Sequence, residues 1–128
     1  MISIIEVVGE RLGRDGVGVY DAHGLGGNIF AGNMNGKDNN QIVLQYRSVG
    51  SFLGGTNPIG ELTIKAYNRN YPHAVEMLEN VRTSLSSGVL ERGEEKYLIV
   101  PTTDIEDVDV SNITELLCVQ SKYKTQKI

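Results

Sequence analysis

The side chains best suited to nucleophilic or acid–base chemistry in this chain are His23, His73 and Cys118. A nucleophile needs a base within hydrogen-bond reach, and the base needs a group that orients it. No spacing in the sequence supplies that set. His23 sits among glycines, and His73 falls in the first turn of an expected helix, on its exposed side. Cys118 falls inside a strand pattern, where a free cysteine behaves as a small buried hydrophobe. The stretch Gly24-Leu25-Gly26-Gly27-Asn28 suggests a phosphate cradle. A P-loop, however, needs a lysine and a hydroxyl residue directly after its glycines, and none follows here. A dinucleotide fingerprint needs a helix straight after the glycines, whereas Asn28-Ile29-Phe30 reads as strand. The carboxylates Asp104, Glu106, Asp107 and Asp109 invite a calcium reading. An EF-hand loop counted from Asp104 needs glycine where Asp109 stands, and Ile105 and Val108 break the polar run. A solvated or partner-facing acidic face is the better reading. The single cysteine excludes an internal disulfide and a Cys-rich zinc site. The expectation is a protein with no catalytic residues, no metal and no cofactor: not an enzyme.

The elements that would carry these residues follow from periodicity. Ile2, Ile5, Val8 and Leu12 recur at helical spacing, which predicts an amphipathic helix over roughly residues 2–13. Ser3 and Glu6 fit a capping box with Ile2 as its staple, and Gly13 and Gly16 stop the helix. Gly9 inside it costs roughly 1 kcal/mol relative to alanine. Residues 23–40 read as a glycine- and asparagine-rich loop, because both residues tolerate positive φ, with Ile29 and Phe30 as a short edge strand. Gln41 to Arg47 alternates as a half-buried strand, and 48–60 reads as a second flexible segment. Glu61 to Tyr67 alternates again, with Leu62, Ile64 and Ala66 inward. A second helix starts near Pro72 and lays Ala74, Leu78, Val81 and Leu85 on the core, widened by Val75 and Met77. Glu79 and Arg82 pair on its outer face, and Gly88 caps it. Tyr97 to Val100 is a short strand stopped by Pro101. Ile113 to Tyr123 is a last strand, ahead of a short basic tail carrying Lys122, Lys124 and Lys127.

Helix, strands, helix, strands implies an α+β fold: a mixed, largely antiparallel β-sheet with two helices packed on one face. The 128 residues suit a single domain. Composition is 40% hydrophobic and 22% charged, as in ordinary globular chains. No stretch approaches the ~20 apolar residues of a membrane span, and Glu6 interrupts the apolar start without a basic region before it, so no membrane association and no secretory signal are expected. The net charge is −4, with a pI near 5.1. Without a dense basic patch to release counterions, broad nucleic-acid binding is disfavoured. Of the 15 glycines, 13 lie between Gly9 and Gly60, so the first half reads as loop-rich. Long loops in a small domain are commonly functional. With no catalytic set, contact with other protein copies is the expected use.

Four segments carry a family resemblance. They are the short N-terminal helix closing on Gly13-Arg14-Asp15-Gly16; Gly26-Gly27-Asn28-Ile29-Phe30-Ala31-Gly32-Asn33-Met34 followed by the strand Gln41–Arg47; Leu62-Thr63-Ile64-Lys65-Ala66-Tyr67 running through Tyr71-Pro72-His73-Ala74 into the helix to Leu85; and a C-terminal strand ending in a lysine-containing tail. In these the sequence resembles the tail terminator and minor capsid proteins of long-tailed bacteriophages, over most of its length. The resemblance implies a structural virion protein at the tail and neck, assembled in the host cytoplasm. It implies a homo-hexameric ring that caps the tail tube, ends its polymerisation and joins it to the head-side connector. Each subunit would present two different patches to its neighbours. Loops 23–40 and 48–60 would order on docking, with Leu25, Asn28, Phe30, Met34, Phe52 and Leu53 as candidate contacts. In such a ring Asp104, Glu106, Asp107 and Asp109 would line the lumen, where like charge lets DNA pass without specific binding. Another neck or head-completion protein, and a small ligand-binding domain, remain as alternatives.

Overall fold

The computed structural model describes residues 3–21, 27–32, 40–51, 58–108 and 116–128. Helix α1 spans Ser3–Arg14 and helix α2 spans Tyr71–Ser84. The strands are β1 (Ile29–Ala31), β2 (Gln41–Ser51), β3 (Pro58–Asn68), β4 (Val89–Arg92), β5 (Glu95–Pro101), β6 (Glu106–Val108) and β7 (Leu117–Lys127). They form one sheet in the order β1-β2-β3-β7-β5-β4. β6 pairs with β7 over Cys118–Gln120, and β5 takes the same edge over Tyr123–Lys127. Every pairing is antiparallel except β1 with β2. The fold is therefore α+β, with both helices on one face of a mixed, largely antiparallel sheet.

The expected helix faces are the buried ones. Ile5, Val8 and Leu12 of α1, with Ile4 and Val7, meet Ala74, Leu78, Val81 and Leu85 from α2 and its cap. Beneath them lie Ile42 and Leu44 of β2, Leu62 and Ile64 of β3, and Val119 and Tyr123 of β7. α1 ends one residue later than expected. Gly16, at φ +75, donates its N–H to the Gly13 carbonyl, and Val17 donates to Leu12. Those two bonds make the Schellman motif that a left-handed glycine permits. Gly13 lies within the last helical turn. Ser3 is the first helical residue, and Ile2 lies outside the described residues. At α2, Asn70 is the N-cap: its side chain accepts from the His73 N–H at 3.1 Å, with Pro72 in the first turn. The C-cap is Leu85, and Gly88, at φ +75, instead turns the chain toward β4.

Several expectations are corrected. β2 continues through Ser51 and β3 begins at Pro58, so residues 48–51 and 58–60 of the expected flexible segment 48–60 are antiparallel strand, and 52–57 lie outside the described residues. Pro58 is the first residue of its strand, where a missing N–H is tolerated. Strand β4 has no counterpart among the expected strands, because Val89–Arg92 offers only one core residue, Leu90, and so no alternating pattern. The basic tail is not a tail. Lys122, Lys124 and Lys127 belong to β7, an interior strand, because Ser121, Tyr123 and Thr125 alternate inward between them. Finally, Arg82 does not pair with Glu79. Its Nη2 donates to the Thr103 carbonyl at 2.6 Å, and its Nη1 lies 3.6 Å from Asp104.

Gly9 has a packing reason. A Cβ built there would lie 2.5 Å from the ring of Tyr20, which folds back over α1. Gly9→Ala is therefore expected to destabilise. Helix propensity favours alanine by roughly 1 kcal/mol, but overpacking costs about 1–3 kcal/mol. Urea unfolding of Gly9→Ala alone and in a Tyr20→Ala background checks this, since the alanine should become neutral or favourable once the ring is gone.

Candidate functional site

Among the described residues the helices cover one face of the sheet and leave much of the other open. Strand residues alternate between faces, so the register defines the open side row by row. Arg47, Glu61, Lys124 and Val100 stand side by side across β2, β3, β7 and β5. Gln45, Thr63 and Lys122 form the next row, and Val43, Lys65, Gln120 and Glu106 the one after. In the opposite direction lie Ile59, Gln126, Leu98 and Val89.

The two ends of this face differ. At one end Val43, Tyr67, Leu116 and Cys118 form a second, smaller core, with Val108 packed on it. Cys118 is 3% exposed, and burial raises the pKa of its thiol. Burial likewise pushes the Tyr67 phenol up to about 12. Both groups are thus neutral at physiological pH. His73 is exposed on the first turn of α2, on the other side of the sheet, so the structure does not bring it to Cys118. His23 lies outside the described residues. At the other end of the face, among the described residues, no second layer forms over Val49, Val89, Leu98 and Val100, which are 36–59% exposed. Exposed apolar residues clustered in this way mark contact surfaces. The run Tyr97-Leu98-Ile99-Val100 is apolar at every position, so its sequence does not tell an inward side chain from an outward one. Only Tyr97 and Ile99 reach the core, and the alternation of the strand sends Leu98 and Val100 to the open side.

Charge is also unevenly distributed. Arg47, Lys65, Lys96, Lys122 and Lys124 project from the open face, against Glu61, Glu91 and Glu106. Arg47–Glu61 and Lys96–Glu91 are exposed ion pairs at 3.5 Å. This face is net basic in a chain of net charge −4. The helical side is acidic. Glu76 and Glu79 are exposed on α2. Asp107 accepts a 2.6 Å hydrogen bond from the Tyr71 hydroxyl at the start of that helix, a bond that raises the Tyr71 pKa. Asp104 is fully exposed beside Arg82.

The predicted site residues are therefore divided. Asp104, Glu106 and Asp107 are all exposed, but they do not form one wall. Glu106 points to the open face, where it accepts from Gln120 at 2.9 Å, whereas Asp107 points to the helical side. Asp109 lies outside the described residues, as do Leu25, Met34, Phe52 and Leu53. The two described contact candidates serve the fold. Phe30 is 5% exposed within β1, and Asn28 Oδ1 accepts from the Val19 N–H at 2.8 Å.

A second polar constellation joins the helices. The Ser84 hydroxyl donates to Asp15 Oδ2 at 2.6 Å, and Arg11 Nε donates to the same oxygen at 3.0 Å. Asp15 and Ser84 line a cleft of about 510 Å³ with Val17, Asn80 and Thr83. No imidazole stands beside Ser84 among the described residues, so the arrangement clamps α1 to α2 rather than activating a hydroxyl. The Ser84 hydrogen bond, followed by that from Arg11, holds the Asp15 pKa below its ordinary value. A depressed carboxylate stabilises the fold above its unfolded pKa and loses that contribution as pH falls through the folded one. Asp15→Asn should therefore flatten the acid limb of Tm against pH and leave the neutral-to-alkaline limb unchanged in shape.

Among the described residues no helix is long and apolar enough to cross a membrane, and no group of three or more His, Cys, Asp or Glu side chains is placed to hold a metal ion. No protein-family model matches this chain, and no curated protein matches it.

Proposed function

We propose that this chain is a structural virion protein, a tail terminator. Copies of it form a ring that caps the phage tail tube, ends tube growth and joins the tube to the head-side connector, with DNA passing through the lumen. One observation carries the reading: a sheet whose helices, among the described residues, pack on one face, while the other face keeps Val49, Val89, Leu98 and Val100 exposed beside a net-basic array. Such a face gains free energy when another protein surface removes it from water. The resemblance in the segments Gly26–Met34 and Leu62–Leu85 supplies the kind of assembly.

The test is to incubate the purified chain with purified tail tubes of a long-tailed phage and to image the product by negative stain, with native mass measured in parallel. The expected result is a ring of subunits seated on one end of each tube, and labelling of the neck in mature particles. A chain that stays monomeric with and without tubes, or that labels particles elsewhere, overturns the proposal.

One observation favours a second reading. A largely apolar cleft of about 370 Å³ lies between the end of α2 and β5, lined by Arg82, Leu85, Ile99, Pro101 and Tyr123. That volume is within the range of small-ligand sites. A ligand-binding module would remain a monomer and melt higher with its ligand, whereas the ring reading expects assembly without one.

A further inference from the structure

We propose that successive copies dock front to back, the open sheet face of one subunit receiving the acidic outer face of α2 of the next. This rests on the ring reading and deepens it by assigning the two surfaces. The occupant is a second copy of this chain because the chain itself carries the complementary surface. The sheet face offers an apolar patch, Val49, Leu98 and Val100, next to Arg47, Lys122 and Lys124. The helical side offers Glu76 and Glu79 along α2, Asp104 beside Arg82, and Asp107 against Tyr71, which is 45% exposed. Tyrosine is among the residues enriched in interfaces, since its flat ring fills apolar pockets and its hydroxyl keeps a polar partner. Here Asp107 already holds that hydroxyl, which fixes the ring for docking.

The placement of the two surfaces determines the kind of assembly. They lie on opposite sides of the sheet, so a subunit cannot satisfy both with one partner through a twofold axis. Unlike patches that meet head to tail propagate from subunit to subunit and close into a ring when the rotation permits. The same geometry gives the carboxylates of the 104–107 segment a role different from lining a lumen. Asp104 and Asp107 face the neighbouring subunit's lysines, and like-charge contacts between two acidic or two basic faces oppose docking in any other order.

The experiment is charge reversal with complementation, read as native mass of the full chain at low and high salt. One variant, Lys122→Glu/Lys124→Glu, makes the sheet face acidic; the other, Glu76→Lys/Glu79→Lys, makes the helix face basic. All four residues are exposed or half-exposed, so both variants should keep the wild-type circular dichroism spectrum. Each variant alone should self-associate at least about tenfold more weakly than wild type, because its reversed pair now meets like charges on the facing surface. An equimolar mixture should assemble again, because each sheet face then meets an oppositely charged helix face. Recovery in the mixture also shows that both variants are folded. Wild-type-like assembly of either variant alone, or a mixture that stays dissociated, overturns the assigned surfaces. If rings still form on tubes in that case, the terminator reading stands without them. A wild-type chain that remains monomeric with tubes present overturns both.

Discussion

Leu78→Ala is expected to lower the unfolding free energy by about 2–5 kcal/mol, the range for removing a large aliphatic side chain from a closed core. Leu78 is fully buried at the centre of α2 and belongs to the cluster shared by both helices and the sheet. Its neighbours along the stripe, Ala74 and Val81, are also fully buried, so little backbone freedom exists to close the void. The upper part of the range applies where the site cannot collapse. Urea denaturation monitored by circular dichroism checks this. A midpoint equal to wild type would remove α2 from the position it holds in the fold. Leu78→Met, which conserves volume, should cost less than about 1.5 kcal/mol in the same experiment.

The second large effect is expected at Gly27. A Cβ there would lie 2.3 Å from the Val19 carbonyl oxygen and 3.0 Å from Asp21 Cβ. The Val19 oxygen accepts from the N–H groups of both Asn28 and Ile29 at 3.0 Å, so the close approach is part of how the chain leaving α1 is held beside β1. A clash with a flexible side-chain end can be relieved by rotation, but one with a carbonyl fixed by two hydrogen bonds cannot. Gly27→Ala should therefore cost at the high end of the roughly 1–3 kcal/mol typical of overpacking, and it should speed hydrogen exchange at Asn28 and Ile29. Gly13→Ala is the matched control. Its added Cβ would meet nothing closer than 3.8 Å, within a helix, so it should be neutral or stabilising by up to about 1 kcal/mol.

These two glycines show where reading the sequence works and where it stops. Thirteen glycines before residue 61 suggest loops, because glycine tolerates positive φ. Gly16, Gly32 and Gly50 do adopt positive φ. Gly9 and Gly27 serve another purpose, allowing Tyr20 and the Val19 carbonyl to come close. That purpose depends on which segment folds back over which, and nothing local in the sequence states it. The same limit applies to Arg82. Its helical spacing from Glu79 is legible, yet the Thr103 carbonyl, distant in sequence, takes the guanidinium.

By itself, the sequence determined the helix stripes, the alternation of β2, the inward set of β3 and the α+β class, because burial of one face leaves a periodic trace of 3.6 or 2 residues. Tertiary structure alone decided which face of the sheet stays uncovered, since periodicity tells one face from the other but not what lies over it. It also placed Leu98 and Val100 outside, made Lys122 and Lys124 part of an interior strand rather than a tail, and sent Glu106 and Asp107 to opposite sides. Each of those outcomes depends on pairing between strands remote in the chain. The free energy of such pairing belongs to the partners jointly and leaves no mark on either segment alone.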